Sequence, residues 1–543
     1  MLAGALSGCG GGGDAPTAPP PAAPAPPTLP TGRVSGDTPV TAGCTGGDAT
    51  GTLYTNAEVE PYLARSPLQA DHLVAVWQQD RWSDGAARAM VSAVSFDGGR
   101  NWARALQPMS RCGGAAAGSA GDLQRASDPW VEIGGDGTVH LMALAASGAA
   151  LTANGRSAML ASRSLDGGRT FSAPVALIDD SGAAFFNDKN TLTVDTVDPR
   201  FVYAVWDRLE AAGNGPTWLA RSTDAGASWE PAREIYRPAP VTGSGTSQTI
   251  GNRIVVVAGG ADRGALVNVF TQIDVVGGVA TNRVRVVRSS DRGSTWGAAV
   301  TVGEHRGVGT RDPSTGTAIR DGGIIPAVAA APDGTLWVAW QDSRFSGGQR
   351  DAIAVSRSSD GGRTWSAPVA ASRDLSVSAF TPTLHVRADG LAGLMYFDLR
   401  PDTAAPATLL AAVWLGTTRD GATWGETPVW PAFDMTQAPN ARGLFIGDYH
   451  GLASAGSEFL PLVALSSTDT TNRTDVYLLR IGPQAGGGAA PSAAEHARAL
   501  YGRVGNDEFV ARRQAFTRAA MERRLPDWAA RVGWVERPSA RAP

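Results

Sequence analysis

The sequence predicts an all-β protein, a β-propeller whose blades are four-stranded antiparallel sheets. An eight-residue pattern recurs six times at intervals of 58 to 69 residues, and a repeat of such long period indicates a repeat architecture. Each copy lies between the third and fourth of four short apolar or alternating segments. The 67 glycines and 35 prolines suit a chain of many short strands and turns. The aspartates of the six copies are Asp97, Asp166, Asp224, Asp291, Asp360 and Asp420.

The repeated pattern predicts a tight β-turn. Residues 358–365 read Ser-Ser-Asp-Gly-Gly-Arg-Thr-Trp. The aspartate can accept hydrogen bonds from the backbone N–H groups that follow it, and the glycines supply the positive φ that such a turn requires. The final aromatic residue begins the next strand and can bury its ring between sheets. We therefore expect a structural role for this turn.

The strands of the first blade are predicted at 60–65, 72–78, 89–95 and 102–109. Four-stranded units repeated around a channel are propeller blades. The same pattern predicts further blades within 128–178, 190–236, 252–302, 325–372 and 381–429.

A last unit has three predicted strands, at 449–455, 459–466 and 475–481, and lacks the turn pattern. We expect its fourth strand to come from 52–56, which would close the ring. This gives seven blades, six of which carry the turn pattern; a six-bladed ring is the alternative.

The two ends of the chain differ from the repeats. The tetrapeptide Leu-Ser-Gly-Cys that ends at Cys9 resembles a bacterial lipobox, so 1–9 is interpreted as a truncated lipoprotein signal. The segment 10–35 is Gly- and Pro-rich, as in an extended tether. The propeller is assigned to 36–485, and a short helical appendage to 486–543. We expect an exported protein, anchored in the bacterial cell envelope only through a lipid.

Two cysteines remain after Cys9. Export places the chain in an oxidising compartment, where leftover cysteines commonly pair. Cys44 precedes the first repeat and Cys112 follows its last strand. The sequence therefore predicts a disulfide between them.

Composition excludes several function classes. The net charge is −4 with 18% charged residues, so no strong field indicates nucleic acid or a membrane surface as partner. The six histidines show no metal-binding spacing. We predict no cofactor, leave structural calcium open, and expect a monomer.

The turn pattern resembles the Asp-box (BNR) repeat of sialidases and related propeller proteins. This resemblance implies a protein that engages glycans and, if catalytic, an exo-acting glycoside hydrolase. By the same resemblance Tyr449 is the candidate nucleophile, Glu210 its activating carboxylate and Asp188 the acid/base residue.

Basic side chains are candidates for substrate binding. Arg208, Arg344 and Arg400 follow an aromatic residue and an aspartate at the ends of second strands, whereas Arg253 and Lys189 lie at first-strand starts. One interpretation is a set of ion pairs between blades. The other is a polar rim whose arginines bind carboxylates or sugar hydroxyls.

The first blade departs from the sialidase pattern. Sialidases carry Arg-Ile-Pro there, and the arginine holds the sialate carboxylate, whereas this chain has Glu58-Val59-Glu60-Pro61. A carboxylate in place of a guanidinium reverses the sign of the interaction. The enzyme assignment therefore stays open, and the alternative is a non-catalytic propeller that binds a polysaccharide or protein partner.

Overall fold

The computed structural model describes residues 32–482, apart from 49, 242, 244 and 404–406. Cys9, the tether up to residue 31 and the predicted C-terminal helices lie outside the described residues. The described part is all-β, and its helical content is three short 3₁₀ turns. None of its helices is long and apolar enough to cross a membrane. The 3₁₀ turns are Arg111–Gly113, Arg344–Ser346 and Met435–Gln437.

Consecutive antiparallel groups of four strands follow one another along the chain. The first two groups are β2 (Leu53–Arg65), β3 (Leu73–Trp82), β4 (Ala87–Ser95), β5 (Ala103–Gln107) and β6 (Arg125–Ile133), β7 (Val139–Ser147), β8 (Arg156–Ser164), β9 (Val175–Ser181). The next two are β10 (Phe185–Val194), β11 (Val202–Glu210), β12 (Thr217–Ser222), β13 (Arg233–Tyr236) and β14 (Thr246–Val256), β15 (Leu266–Val276), β16 (Val279–Ser289), β17 (Val300–His305). Two more are β18 (Ala327–Ala330), β19 (Leu336–Asp342), β20 (Ala352–Ser358), β21 (Val369–Ala370) and β22 (Ala379–Val386), β23 (Ala392–Asp398), β24 (Leu410–Thr418), β25 (Gly425–Asp434).

The repeated turn has the predicted geometry. Asp360 accepts hydrogen bonds from the backbone N–H of Thr364 at 2.9 Å and from that of Arg363 at 3.0 Å. The hydroxyl of Ser358 donates to Asp360 at 2.7 Å. Gly361 has φ +67°, and Ala225 and Arg292 adopt positive φ at the same place in their own turns. The turn thus joins the third and fourth strands of each sheet that carries it.

Large aromatic side chains on the second strands fill the space between sheets. Trp77, Trp206, Trp340 and Tyr396 are fully buried. Trp206 packs in an apolar cluster that also contains Met142 of the preceding sheet. Burial of so much apolar surface is the dominant favourable term in holding neighbouring sheets together.

The last group consists of β26 (Gly451–Ala455), β27 (Glu458–Ser466) and β28 (Thr474–Leu478), and its fourth strand is β1 (Gly32–Arg33), antiparallel to β28. The assignment of 52–56 to this position was wrong, because residues 53–56 lie within β2, whose main partner is β3. Residues that precede β2 take the fourth-strand position beside β28. The backbone N–H of Val34, directly after β1, donates to the carbonyl of Val476 at 2.8 Å. β2 adds one parallel bridge to β28, between Ala57 and Thr474.

The first strands of the sheets surround a channel. Each of β2, β6, β10, β14, β18 and β22 contacts the first strand of the following sheet, and β26 contacts β2. Sheets arranged with their first strands innermost in this way form a β-propeller.

Candidate functional site

A cavity lies in the channel, and residues from or next to the first strand of every sheet line it. The first strands of the first two sheets, β2 and β6, bring aromatic side chains to the cavity. Those of the next two sheets, β10 and β14, bring cationic side chains. The segment just before β26 brings Asp448, Tyr449 and His450. A concave site with aromatic walls and a few convergent polar groups is the usual form of a ligand site.

Aromatic rings form one wall of the cavity. Tyr62 stacks on Trp130 with ring centroids 3.7 Å apart, and the ring of Tyr449 lies 5.4 Å from that of Trp130. The phenol of Tyr449 donates a hydrogen bond to the carbonyl of Pro129 at 3.0 Å. This wall is apolar on its faces and polar at its edges, which suits contact with a sugar ring.

Arg253 reaches across the channel from β14 to β2. Its guanidinium donates to the Tyr62 hydroxyl at 2.7 Å and lies 5.0 Å from the ring centroid of Trp130. Among the described residues, no carboxylate comes within 4.0 Å of this guanidinium. The positive charge of Arg253 acts on Glu132. Burial raises the pKa of Glu132 to about 7, and the charge of Arg253 opposes that rise. Arg253 thus presents N–H donors to the cavity without an ion-pair partner.

Lys189 lies at the end of the cavity, surrounded by carboxyl groups from three other sheets. Its ammonium is 2.6 Å from Asp448, 3.1 Å from Asp128 and 3.5 Å from Glu60. Arg320, from the loop before β18, also pairs with Asp448 at 2.6 Å. All these side chains are almost completely buried.

The backbone at this end adopts a conformation that is uncommon for residues with a side chain. Glu60, Asp128 and Lys189 have φ of +52°, +50° and +50° at equivalent places in β2, β6 and β10. Each lies in a register shift of its first strand, as in a β-bulge. Such bulges re-aim side chains, and here three of them converge.

Burial shifts the titration of this cluster. It raises the pKa of Glu60 to about 8 and that of Asp188 to about 6, although the Lys189 ammonium opposes both shifts. Burial alone would also raise the pKa of Asp448, but Arg320 and Lys189 hold it well below its usual range. The cluster therefore contains both ionised and protonated carboxyl groups near neutral pH.

The three predicted catalytic residues do not meet in the cavity. Tyr449 lines it, and Asp188 is buried beside Lys189, whose backbone N–H donates to it at 2.9 Å. Glu210 instead pairs with Arg237 at 2.9 Å and does not line the cavity. The pKa of Tyr449 lies well above its usual range. Burial is the largest cause, and the charges of Glu60 and Asp128 add to it. A phenol in these surroundings is a poor nucleophile.

Of the predicted substrate-binding residues, Arg253 and Lys189 line the cavity, where Lys189 is paired with carboxyl groups. The other three pair with carboxylates outside the cavity. Arg344 pairs with Asp342 at 2.8 Å. Arg400 pairs with Asp398 and with Glu426, the latter at 2.5 Å. Arg208 crosses to the preceding sheet, where it binds Asp180 at 2.6 Å and 2.8 Å.

The described residues contain no group of three or more His, Cys, Asp or Glu side chains arranged to hold a metal ion. Glu58, on the departing first-blade segment, accepts a hydrogen bond from Gln79 at 2.6 Å and does not line the cavity. Cys44 and Cys112 form a disulfide outside the channel.

Sequence reasoning missed Tyr62, Trp130 and Arg320. A signal existed for the first two, because Glu60-Pro61-Tyr62 and Asp128-Pro129-Trp130 repeat an acidic-Pro-aromatic triplet at the start of a first strand. Arg320 lies in a loop between repeats, where no periodic pattern identifies it.

No family model matches the chain, and no curated protein matches its sequence. Solved structures that are similar include a Dyadobacter fermentans protein of unknown function, with 13% identity, 79% of this chain and 97% of that chain covered, and TM-score 0.41. A Hadza microbial sialidase has 16% identity, coverages of 80% and 67%, and TM-score 0.40. A Penicillium chrysogenum α-L-arabinanase has 12% identity, coverages of 79% and 98%, and TM-score 0.40. The TM-scores of these three structures all lie below 0.5.

Proposed function

We propose that this chain is a seven-bladed Asp-box propeller, exported and lipid-anchored through Cys9, that binds an acidic glycan in the channel cavity. Arg253 carries this proposal. It faces the cavity beside an aromatic wall and, within the described part of the chain, has no carboxylate partner within 4.0 Å. A carboxylate on the ligand would supply the missing counter-charge in a bidentate pair.

The aromatic wall supports a sugar as the carrier of that carboxylate. Trp130 and Tyr449 can pack against the apolar face of a sugar ring. His450 and Thr383 add polar groups to the same cavity, so the hydroxyls of a sugar would find hydrogen-bond partners.

Binding of a glycan panel to the wild type and to Arg253→Ala tests the proposal. We expect acidic glycans to bind the wild type, and the substitution to weaken them about 10- to 100-fold, the value of one charge-assisted pair. Arg306→Ala is the matched control, since Arg306 is exposed and paired with Glu304. Equal affinity of the wild type and Arg253→Ala would overturn the assignment.

Glycoside hydrolysis is the second candidate function. The observation in its favour is the pair of raised carboxyl pKa values beside the cavity, about 8 for Glu60 and about 6 for Asp188, because general acids and bases work best with pKa values near the operating pH. Release of fluorophore from aryl glycosides tests it. Turnover that Asp188→Asn abolishes would establish hydrolysis. Loss of turnover in Tyr449→Phe would support the tyrosine as nucleophile, and unchanged turnover would exclude it.

A further inference from the structure

Lys189 is unusual in the sequence as well as in the structure. Of the 47 lysines and arginines in the chain, only Lys189 is a lysine. The other 46 of these positions hold arginine. We therefore expect a physical reason for an ammonium group at position 189.

The geometry around the ammonium provides that reason. Carboxyl oxygens of Asp448, Asp128 and Glu60 lie within 3.5 Å of Nζ. A lysine ammonium is a compact charge with three donors, whereas a guanidinium is a larger planar fork that matches one carboxylate face. Three oxygens that converge on a single point therefore fit lysine better than arginine.

The carboxyl groups that meet at Lys189 belong to elements far apart in the sequence. Glu60 and Asp128 lie on β2 and β6, Lys189 lies on β10, and Asp448 precedes β26. The ammonium thus ties the last sheet of the chain to its first three. Asp448 is followed directly by Tyr449 and His450, which line the cavity, so its position also fixes this part of the wall.

We propose that Lys189 is a resident cation of the channel, a positioning residue whose ammonium holds the last sheet against the first three and thereby sets the Tyr449–His450 wall. Removal of the ammonium leaves Asp128 and Glu60 buried without a cation within 4.0 Å, among the described residues. A buried carboxyl group that loses its cation partner either stays ionised at a large cost or takes up a proton, and in both cases the stabilising ion pair is lost. The inference does not depend on the ligand, and its test uses none.

Chemical rescue tests the proposal directly. Lys189→Ala removes the three outer methylenes and the ammonium, which together correspond to n-propylammonium. We expect the thermal midpoint of this variant to fall by several degrees, and n-propylammonium chloride to restore much of the loss. Tetramethylammonium chloride, at the same ionic strength, should restore little because it has the charge but no N–H donor. Equal effects of the two salts, or an unchanged midpoint in the variant, would overturn the proposal.

A second measurement covers the case in which the alanine variant does not fold. Because the chain has one lysine, amine acetylation of the full-length folded protein reports on a single ε-amine, which peptide mass spectrometry assigns to Lys189. We expect slow acetylation in the wild type and faster acetylation in Asp448→Asn, with Asp469→Asn as an exposed control. Acetylation of the native wild type at the rate of the urea-unfolded chain would contradict the proposed contacts.

Discussion

The four arginines predicted to bind substrate divide into two groups according to their partners. Arg208, Arg344 and Arg400 are each bound by a carboxylate. Arg253 faces the cavity and has a phenol as its hydrogen-bond partner. The same residue type therefore stabilises sheets in one place and is available to a ligand in the other.

The first group should affect stability and leave ligand binding unchanged. We expect Arg400→Met to lower the free energy of unfolding by about 3–5 kcal/mol, the usual cost of breaking a buried ion pair, because Glu426 and Asp398 would stay buried without their cation. Thermal unfolding and glycan affinity measured on the same variant check this. A variant with wild-type stability but weaker glycan binding would instead indicate that Arg400 contacts the ligand.

Glu60 should make stability fall toward alkaline pH. Burial raises the pKa of Glu60 to about 8 in the folded state, so its contribution is present at low pH and is lost as pH rises through that value. We expect the free energy of unfolding of the wild type to drop between about pH 4.5 and about pH 8, and Glu60→Gln to drop less. Denaturant titrations across this range measure both, and parallel curves would contradict the assignment.

The repeated turn was predicted almost completely from the sequence. Its aspartate, glycines and hydroxyl are local, and their hydrogen bonds join residues no more than four apart. Strand positions were also predicted well, because alternation and turn residues are local signals. The two-residue strand β1 was missed, since Gly32–Arg33 has no pattern of its own and its pairing with β28 is decided by tertiary contacts.

The turn should contribute measurably to stability. Asp360 accepts hydrogen bonds from two backbone N–H groups and two hydroxyls. We expect Asp360→Ala to lower the free energy of unfolding by about 1–3 kcal/mol, the range for hydrogen bonds to a charged group. Denaturant unfolding measures the change, and Asp374→Ala is a control on an exposed loop. Equal effects of the two substitutions would show that the aspartate of the repeated turn contributes no more to stability than an ordinary loop aspartate.

The segment before β2 joins the two ends of the propeller. β1 pairs with the last sheet, and Cys44 binds Cys112 next to the first. The cysteine pairing was predicted from compartment and position. The charged cluster of Lys189, Arg320 and Asp448 was not, because its members are up to 259 residues apart and only the tertiary arrangement of the sheets brings them together.

The disulfide should stabilise this junction. It spans 68 residues, and closure of a loop of that length corresponds to about 4 kcal/mol in the chain-entropy model. We expect the double variant Cys44→Ser, Cys112→Ser to unfold at lower temperature than the wild type, and reduction of the wild type to reproduce this shift. A reduced wild type with an unchanged midpoint would show that the segment is held by other contacts.

A direct test of acidic-glycan binding compares two oligosaccharides that differ only at one carboxyl group. One ends in a uronic acid and the other is its carboxyl-reduced, neutral counterpart; the affinity of both is measured for the wild type and for Arg253→Ala. We predict that the wild type prefers the acidic form by about tenfold or more and that Arg253→Ala loses this preference. The same preference in both proteins, or none in the wild type, would contradict the proposal that Arg253 receives an acidic glycan in the channel.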